Sequence, residues 1–138
     1  MELQSLTYTS VAADGLTLAD VDAIHRAALT YNPLDGITGL LLFNGTSFLQ
    51  MIEGAESALD DLVERLRRDP RHHSIELRDR RPIERRFMPD WTMHRLDVGP
   101  SRDEGIAGVE AAFAQRLDGS MMGMVGRSLS AISLPAAN

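Results

Sequence analysis

The chain's 138 residues predict an α+β fold of ferredoxin-like plan. The order reads β-α-β-β-α-β-β, giving one mixed five-stranded sheet with two helices on one face, plus a C-terminal helical extension. Three observations lead there. Short runs alternate apolar and polar residues between turn signals. Two other stretches repeat their apolar residues at helical spacing. Asn44-Gly45, the strongest short-range signal for a hairpin, separates two apolar runs.

Taken in order, residues 3–10 alternate and are rich in Thr and Tyr, which places Tyr8 and Ser10 on one face of a first strand. Thr17 followed by Asp20 resembles a capping box, and Leu18, Val21, Ile24 and Ala28 supply the stripe of a helix expected to end near Tyr31-Asn32-Pro33. Strands over about 37–43 and 46–53 flank the hairpin turn. Ser57 is expected to open a second helix, with Leu59, Leu62, Val63 and Leu66 toward a core, and Asp69-Pro70 to stop it. Residues 75–83 and 91–98 read as the last two strands, joined by a basic turn over 84–90. Trp91 and Met93 would begin the final strand and, two apart, share a face. Beyond Gly99-Pro100, Ile106, Val109, Ala112 and Phe113 mark a third helix, and residues 121–132 a weaker, glycine-interrupted fourth. The expected organisation is a domain over 1–98 and a helical extension over 99–138.

Composition narrows the function. With 43% hydrophobic and 25% charged residues, and no apolar run of about 18 residues, the chain reads as globular rather than membrane-spanning. Its N-terminus lacks a secretory pattern, so the expected location is cytoplasmic. No cysteine is present, which removes disulfides, thiolate metal sites and cysteine nucleophiles, and a net charge of −6 disfavours general nucleic-acid binding. His25, His72, His73 and His94 lack metal-ligand spacing. Gly36-Ile37-Thr38-Gly39 leads into a strand, not into the helix a phosphate loop requires.

The chemistry concentrates on a glutamine in an apolar strand. Phe48, Gln50 and Ile52 share one sheet face, so the amide emerges among apolar neighbours, where leaving it unpaired costs about 1–3 kcal/mol. Gln50 both donates and accepts, and Tyr8 faces it if their strands are adjacent and in register. Asn32 at the end of the first helix can aim an amide into a cleft between the helices. Arg65, Asp69 and Arg71 at the end of the second can meet phosphate or carbonyl oxygens. Taken singly, each also fits a plain structural role: a satisfied core tyrosine, a helix cap, a solvated charged face.

Their joint occurrence resembles the BLUF family, blue-light sensors using flavin, over about residues 3–98. The pattern runs Leu6-Thr7-Tyr8-Thr9-Ser10, Asn32-Pro33-Leu34-Asp35-Gly36-Ile37-Thr38-Gly39, Phe48-Leu49-Gln50-Met51-Ile52-Glu53-Gly54, Arg65, Asp69-Pro70-Arg71-His72, Arg86-Phe87 and Trp91-Thr92-Met93. The resemblance implies a non-covalent FAD, or FMN, between the two helices. Ile24 would pack on the ring, Asn32 bond a ring carbonyl, Arg65 and Asp69 bind the pyrimidine edge, Arg71 meet the phosphates and His72 lie beside them. Gln50 would bridge Tyr8 to the flavin, with Ser10 a secondary contact and Phe48 and Ile52, on the face of Gln50, also touching the flavin. The photochemistry so implied is electron transfer from the tyrosine followed by proton movement through a glutamine that rotates or tautomerises, leaving a reversible red-shifted state. Tyr8, Gln50, Trp91 and Met93 are thus the expected photoactive residues; Tyr31, beside Asn32 in the chain, is a second tyrosine whose proximity alone suggests a competing electron donor. The implied protein is a short, non-enzymatic sensor that forms homo-oligomers and signals to a separate partner, with residues 99–138 serving signal output or dimer contact. Two other classes stay open on the residues alone: an acylphosphatase-type hydrolase on the same fold plan, and a flavin-free interaction module.

Overall fold

A computed structural model describes residues 2–114 and 117–134. Five strands form one sheet: β1 (Leu3–Ala12), β2 (Thr38–Phe43), β3 (Ser47–Ala55), β4 (His72–Ile83) and β5 (His94–Asp97). Their spatial order is β4-β1-β3-β2-β5, antiparallel except for β2 with β5. The expected plan with one added strand is therefore the observed one. The β2–β3 hairpin closes where expected, with Gly45 at φ 98° and the Asn44 carboxamide oxygen accepting from Thr46 and Ser47 amides at 3.1 and 2.8 Å.

Helices α1 (Leu18–Asp35) and α2 (Glu56–Arg67) cover one face. Their side chains pack with Leu6, Tyr8, Leu41, Phe43, Phe48 and Ile52 in one apolar cluster. Helices α3 (Arg102–Phe113) and α4 (Gly119–Ile132) cover the other, over Leu40, Leu42, Leu49 and Met51. The alternation of β2 and β3 thus feeds two cores at once. The far end of α4 is tied down by Asn44 Nδ2 donating to the Ile132 carbonyl at 3.0 Å and by the Leu134 amide donating to Pro100 at 2.8 Å.

Four expectations need correction. Helix α1 does not stop at Tyr31-Asn32-Pro33; it runs through Pro33 to Asp35. A proline removes one helical donor but does not bar a further turn, and the helix closes where Gly36 adopts φ 67° and donates back to Asn32 and Pro33. The Thr17–Asp20 capping box at its start is present, but Leu18 is 67% exposed and sits outside the buried stripe. Helix α2 begins at Glu56, directly off β3, with Ala55 as a cap that makes no side-chain bond, so Ser57 does not open it. Finally, β5 begins at His94, which leaves Trp91 and Met93 in the irregular segment before it. Without a strand's strict alternation they point apart: Trp91 packs beside Phe113 on the α3/α4 side, their rings 5.1 Å apart, while Met93 joins the α1/α2 cluster.

A buried carboxylate fixes the approach to that segment. Glu53, on the α3/α4 side of β3 and fully buried, accepts from the Phe87 and Met88 amides at 2.5 and 2.9 Å and from the Thr38 hydroxyl at 3.2 Å. Arg86 brackets it by donating to Thr38 Oγ1 and to the Glu53 and Gly36 carbonyls. Burial lifts the Glu53 carboxyl above its ordinary range, against the pull of these donors and of the nearby guanidinium.

Candidate functional site

A cleft of about 290 Å³ opens between α1 and α2 above the sheet. Helix α1 supplies Ile24, Ala27, Ala28, Tyr31 and Asn32; α2 supplies Leu62, Arg65 and Leu66; the strands supply Tyr8, Leu41, Phe48 and Gln50 from below. Asp69, Arg71 and His72 close its end. Two expected contacts do not reach it. The Ser10 hydroxyl lies against His72 Nδ1 at 2.7 Å, and Ile52 sits in the core beneath. The α1 stripe of Ile24, Ala27, Ala28, Tyr31 and Asn32 recurs at helical spacing; Ala27, one residue before the Ala28 of the expected stripe, is the member that stripe lacks.

The centre of the floor is a directly opposed pair. Tyr8 on β1 faces Gln50 on β3, which places both side chains on one face, and the Tyr8 hydroxyl donates to Gln50 Oε1. Both are buried, at 2% and 5% exposure. The other end of the amide is also engaged: Gln50 Nε2 donates to the Met93 sulfur at 3.6 Å. Gln50 therefore has one defined orientation, its oxygen toward the phenol and its nitrogen toward the thioether. Burial, with the negative charge of Asp69 adding to it, holds the Tyr8 phenol protonated well above its usual range.

The polar rim carries paired charges. Arg71 grips both carboxylate oxygens of Asp69, with the closest contact at 2.6 Å. Burial alone would push the Asp69 carboxyl up, but the Arg71 bonds outweigh it and hold it below the usual carboxylate range, while Asp69 in turn raises the Arg71 guanidinium. Arg65 is half-exposed and paired with Asp35 at 3.1 Å, one of five guanidinium N–H donors. The Asn32 amide, buried at the back wall, donates to the Thr92 carbonyl at 3.3 Å, which leaves its oxygen and second N–H for another partner. Trp91 does not line the cleft.

The walls suit a flat, largely apolar ring with one polar edge: aliphatic and aromatic side chains above and below, amides and guanidinium groups at the ends. A flavin has that form, with a dimethylbenzene end and a pyrimidine edge that both donates and accepts. Among the described residues no group of three or more His, Asp or Glu could hold a metal, and no helix is long and apolar enough to cross a membrane.

Comparison with known proteins agrees with the geometry. The model of the BLUF family, sensors of blue-light using FAD, matches residues 3–94. Subunit beta of the photoactivated adenylate cyclase of Euglena gracilis is 37% identical over 92 residues, 66% of this chain. The matched stretch spans only 11% of that protein's length. Among solved structures, the dark state of the BLUF protein BlrB is 38% identical with a TM-score of 0.72, over 94% of this chain and 96% of that one. Klebsiella pneumoniae BlrP1 with FMN and cyclic diGMP gives 28% identity and a TM-score of 0.77, over 93% of this chain and 34% of that one.

Proposed function

From the premise that this chain belongs to the BLUF family of blue-light sensors using FAD, we propose that the cleft holds FAD non-covalently and that Tyr8 and Gln50 form the light-operated switch. The observation that carries this reading is the buried chain of bonds from the Tyr8 hydroxyl through the Gln50 amide to the Met93 sulfur, of which Tyr8 and Gln50 line the cleft floor. The flavin supplies absorption of blue light and an acceptor for one electron. The protein's own residues supply the rest. Tyr8 is the donor: desolvation keeps its proton in place in the dark, and Gln50 Oε1 is positioned to take that proton as the electron leaves. Once the amide has turned, exchanging its donor and acceptor ends, the electron and the proton would return to Tyr8, so that the hydrogen bonding offered to the ring changes without net chemistry.

The remaining side chains are assigned by fit. Ile24, Phe48, Leu62 and Leu66 sandwich the ring; Asn32 bonds a ring carbonyl; Arg65 and Asp69 meet the pyrimidine edge; Arg71 and His72 flank the phosphates. Ser10 acts one shell out by orienting His72, and Ile52 supports the floor. BlrP1 takes FMN in a solved structure, so a mononucleotide satisfies the same fold. We assign FAD from the family's description, sensors of blue-light using FAD, with Arg71 the rim guanidinium left for its phosphates.

Residues 1–98 form the sensing unit in this reading, and residues 99–138 the output element, which acts as a non-enzymatic sensor on a separate protein or on a second copy of the chain. The cyclase relatives are far longer than this chain, and their activity stays with them. Absorption spectra of the purified protein, taken in darkness, after blue light and through recovery, test the proposal. A reversible red shift of a bound flavin, lost in Gln50→Ala, is the expected result. A flavin spectrum that does not shift, or a protein that takes up no flavin on reconstitution, overturns it.

A further inference from the structure

Segment 91–93 is held by three successive backbone carbonyls. Trp91 O accepts from the Gly39 amide of β2 at 2.8 Å, Thr92 O from Asn32 Nδ2 at 3.3 Å, and Met93 O from His25 Nε2 at 2.8 Å. His25 and Asn32 lie seven residues apart on α1, two turns, and so reach the segment from one helix face. The first and second tethers belong to the sheet and to a residue of the cleft. The third belongs to a side chain outside the cleft.

We propose that His25 is a positioning residue of the switch: by clamping the Met93 carbonyl it holds the Met93 thioether against Gln50 Nε2 and thereby sets which way the amide rests in the dark. The inference rests on the Tyr8–Gln50 reading above. A carbonyl only accepts, so His25 donates from Nε2. Met93 is buried, at 3% exposure, and its sulfur accepts from the amide nitrogen. A reoriented amide brings its oxygen to that sulfur instead, two electron-rich atoms facing one another. A sulfur pinned in place therefore penalises the reoriented form and drives its return. Loosening the pin removes that penalty, and the light-adapted form lasts longer.

The test uses the flavin-loaded full chain. H25L removes the donor and keeps bulk and helix propensity; H25Q keeps an N–H donor at similar reach. Loss of one hydrogen bond corresponds to a roughly two- to tenfold change in rate, so H25L is expected to slow dark recovery by that factor and M93A to slow it at least as much. The double variant should be no slower than M93A, and H25Q should recover near the wild-type rate. Dark-state hydrogen exchange across 91–97 should rise in H25L but not in H25Q, a readout independent of the photocycle. Wild-type recovery in H25L alongside slowed recovery in M93A overturns the proposal, as does H25Q matching H25L. A wild-type protein without a red shift instead sinks the sensor reading, and the exchange measurement still decides whether His25 clamps the segment.

Discussion

The two faces of the sheet bury polar groups in opposite ways. Under α1 and α2, Tyr8, Gln50, Asn32 and His72 each have a partner, and all four border one cleft. Under α3 and α4, β1 presents Ser5, Thr7 and Thr9, and the buried hydroxyls of Ser5 and Thr7 have no hydrogen-bond partner. The covering helix α4 offers Met121, Met124, Val125 and Leu129 between glycines rather than a row of large branched side chains. The first face is specified by hydrogen bonds and arranged around a cavity. The second is packed mainly by apolar side chains around one hydrogen-bonded carboxylate, Glu53, and carries an unmet cost of about 1–3 kcal/mol per orphaned group, as for any buried unpaired polar atom. The cleft side thus pairs its buried polar groups while the side under α3 and α4 leaves two hydroxyls unpaired, with the sheet between them.

Four substitutions sharpen or break that contrast. Gln50→Ala should have the largest effect on function, complete loss of the light-induced shift, while chemical denaturation shows a much smaller change than a core truncation gives. Phe113→Ala should do the reverse: about 3–5 kcal/mol of stability lost, as for other buried aromatic truncations, with bound flavin and its shift retained in the folded fraction. Equal loss of pigment in both would mean that the faces are not separable. Glu53→Gln tests the seam through pH. The folded carboxyl titrates above its ordinary value of 4.5, so Glu53 contributes stability in acid that is lost as pH rises through the folded value. The stability advantage of wild type over the variant should therefore shrink as pH is raised from about 4.5, followed by urea unfolding; an advantage that grows with pH contradicts the burial argument. The smallest effect is expected of Thr7→Val, which removes an orphaned hydroxyl at nearly constant shape and should leave stability unchanged or raise it by about 1 kcal/mol. Clear destabilisation would show that the hydroxyl has a partner after all.

Most of the cleft was readable from local pattern because its parts lie on regular elements. Strand alternation put Tyr8, Phe48 and Gln50 on one face, and the Asn44-Gly45 turn fixed the hairpin register that holds Gln50 in place. Helix spacing put Ile24 and Asn32 on the cleft side of α1. The failures fall where no period operates. Trp91 and Met93 straddle the sheet edge because three tethers, not a strand ladder, orient them. His25 reads as a spare polar residue until the fold brings it to a carbonyl 68 positions away. Helix α2 starts without a side-chain cap, so its first residue leaves no mark in the sequence.

Gly39 adds a mechanical consequence. A methyl group there would stand 2.5 Å from the Met51 carbonyl oxygen, so β2 and β3 run in contact with nothing between them, at the point where the Gly39 amide also holds Trp91. Any side chain at residue 39 would part the two strands where they anchor the segment that carries Trp91 to Phe113 on one side of the sheet and Met93 to Gln50 on the other, so a Gly39→Ala variant would disturb both cores from one position.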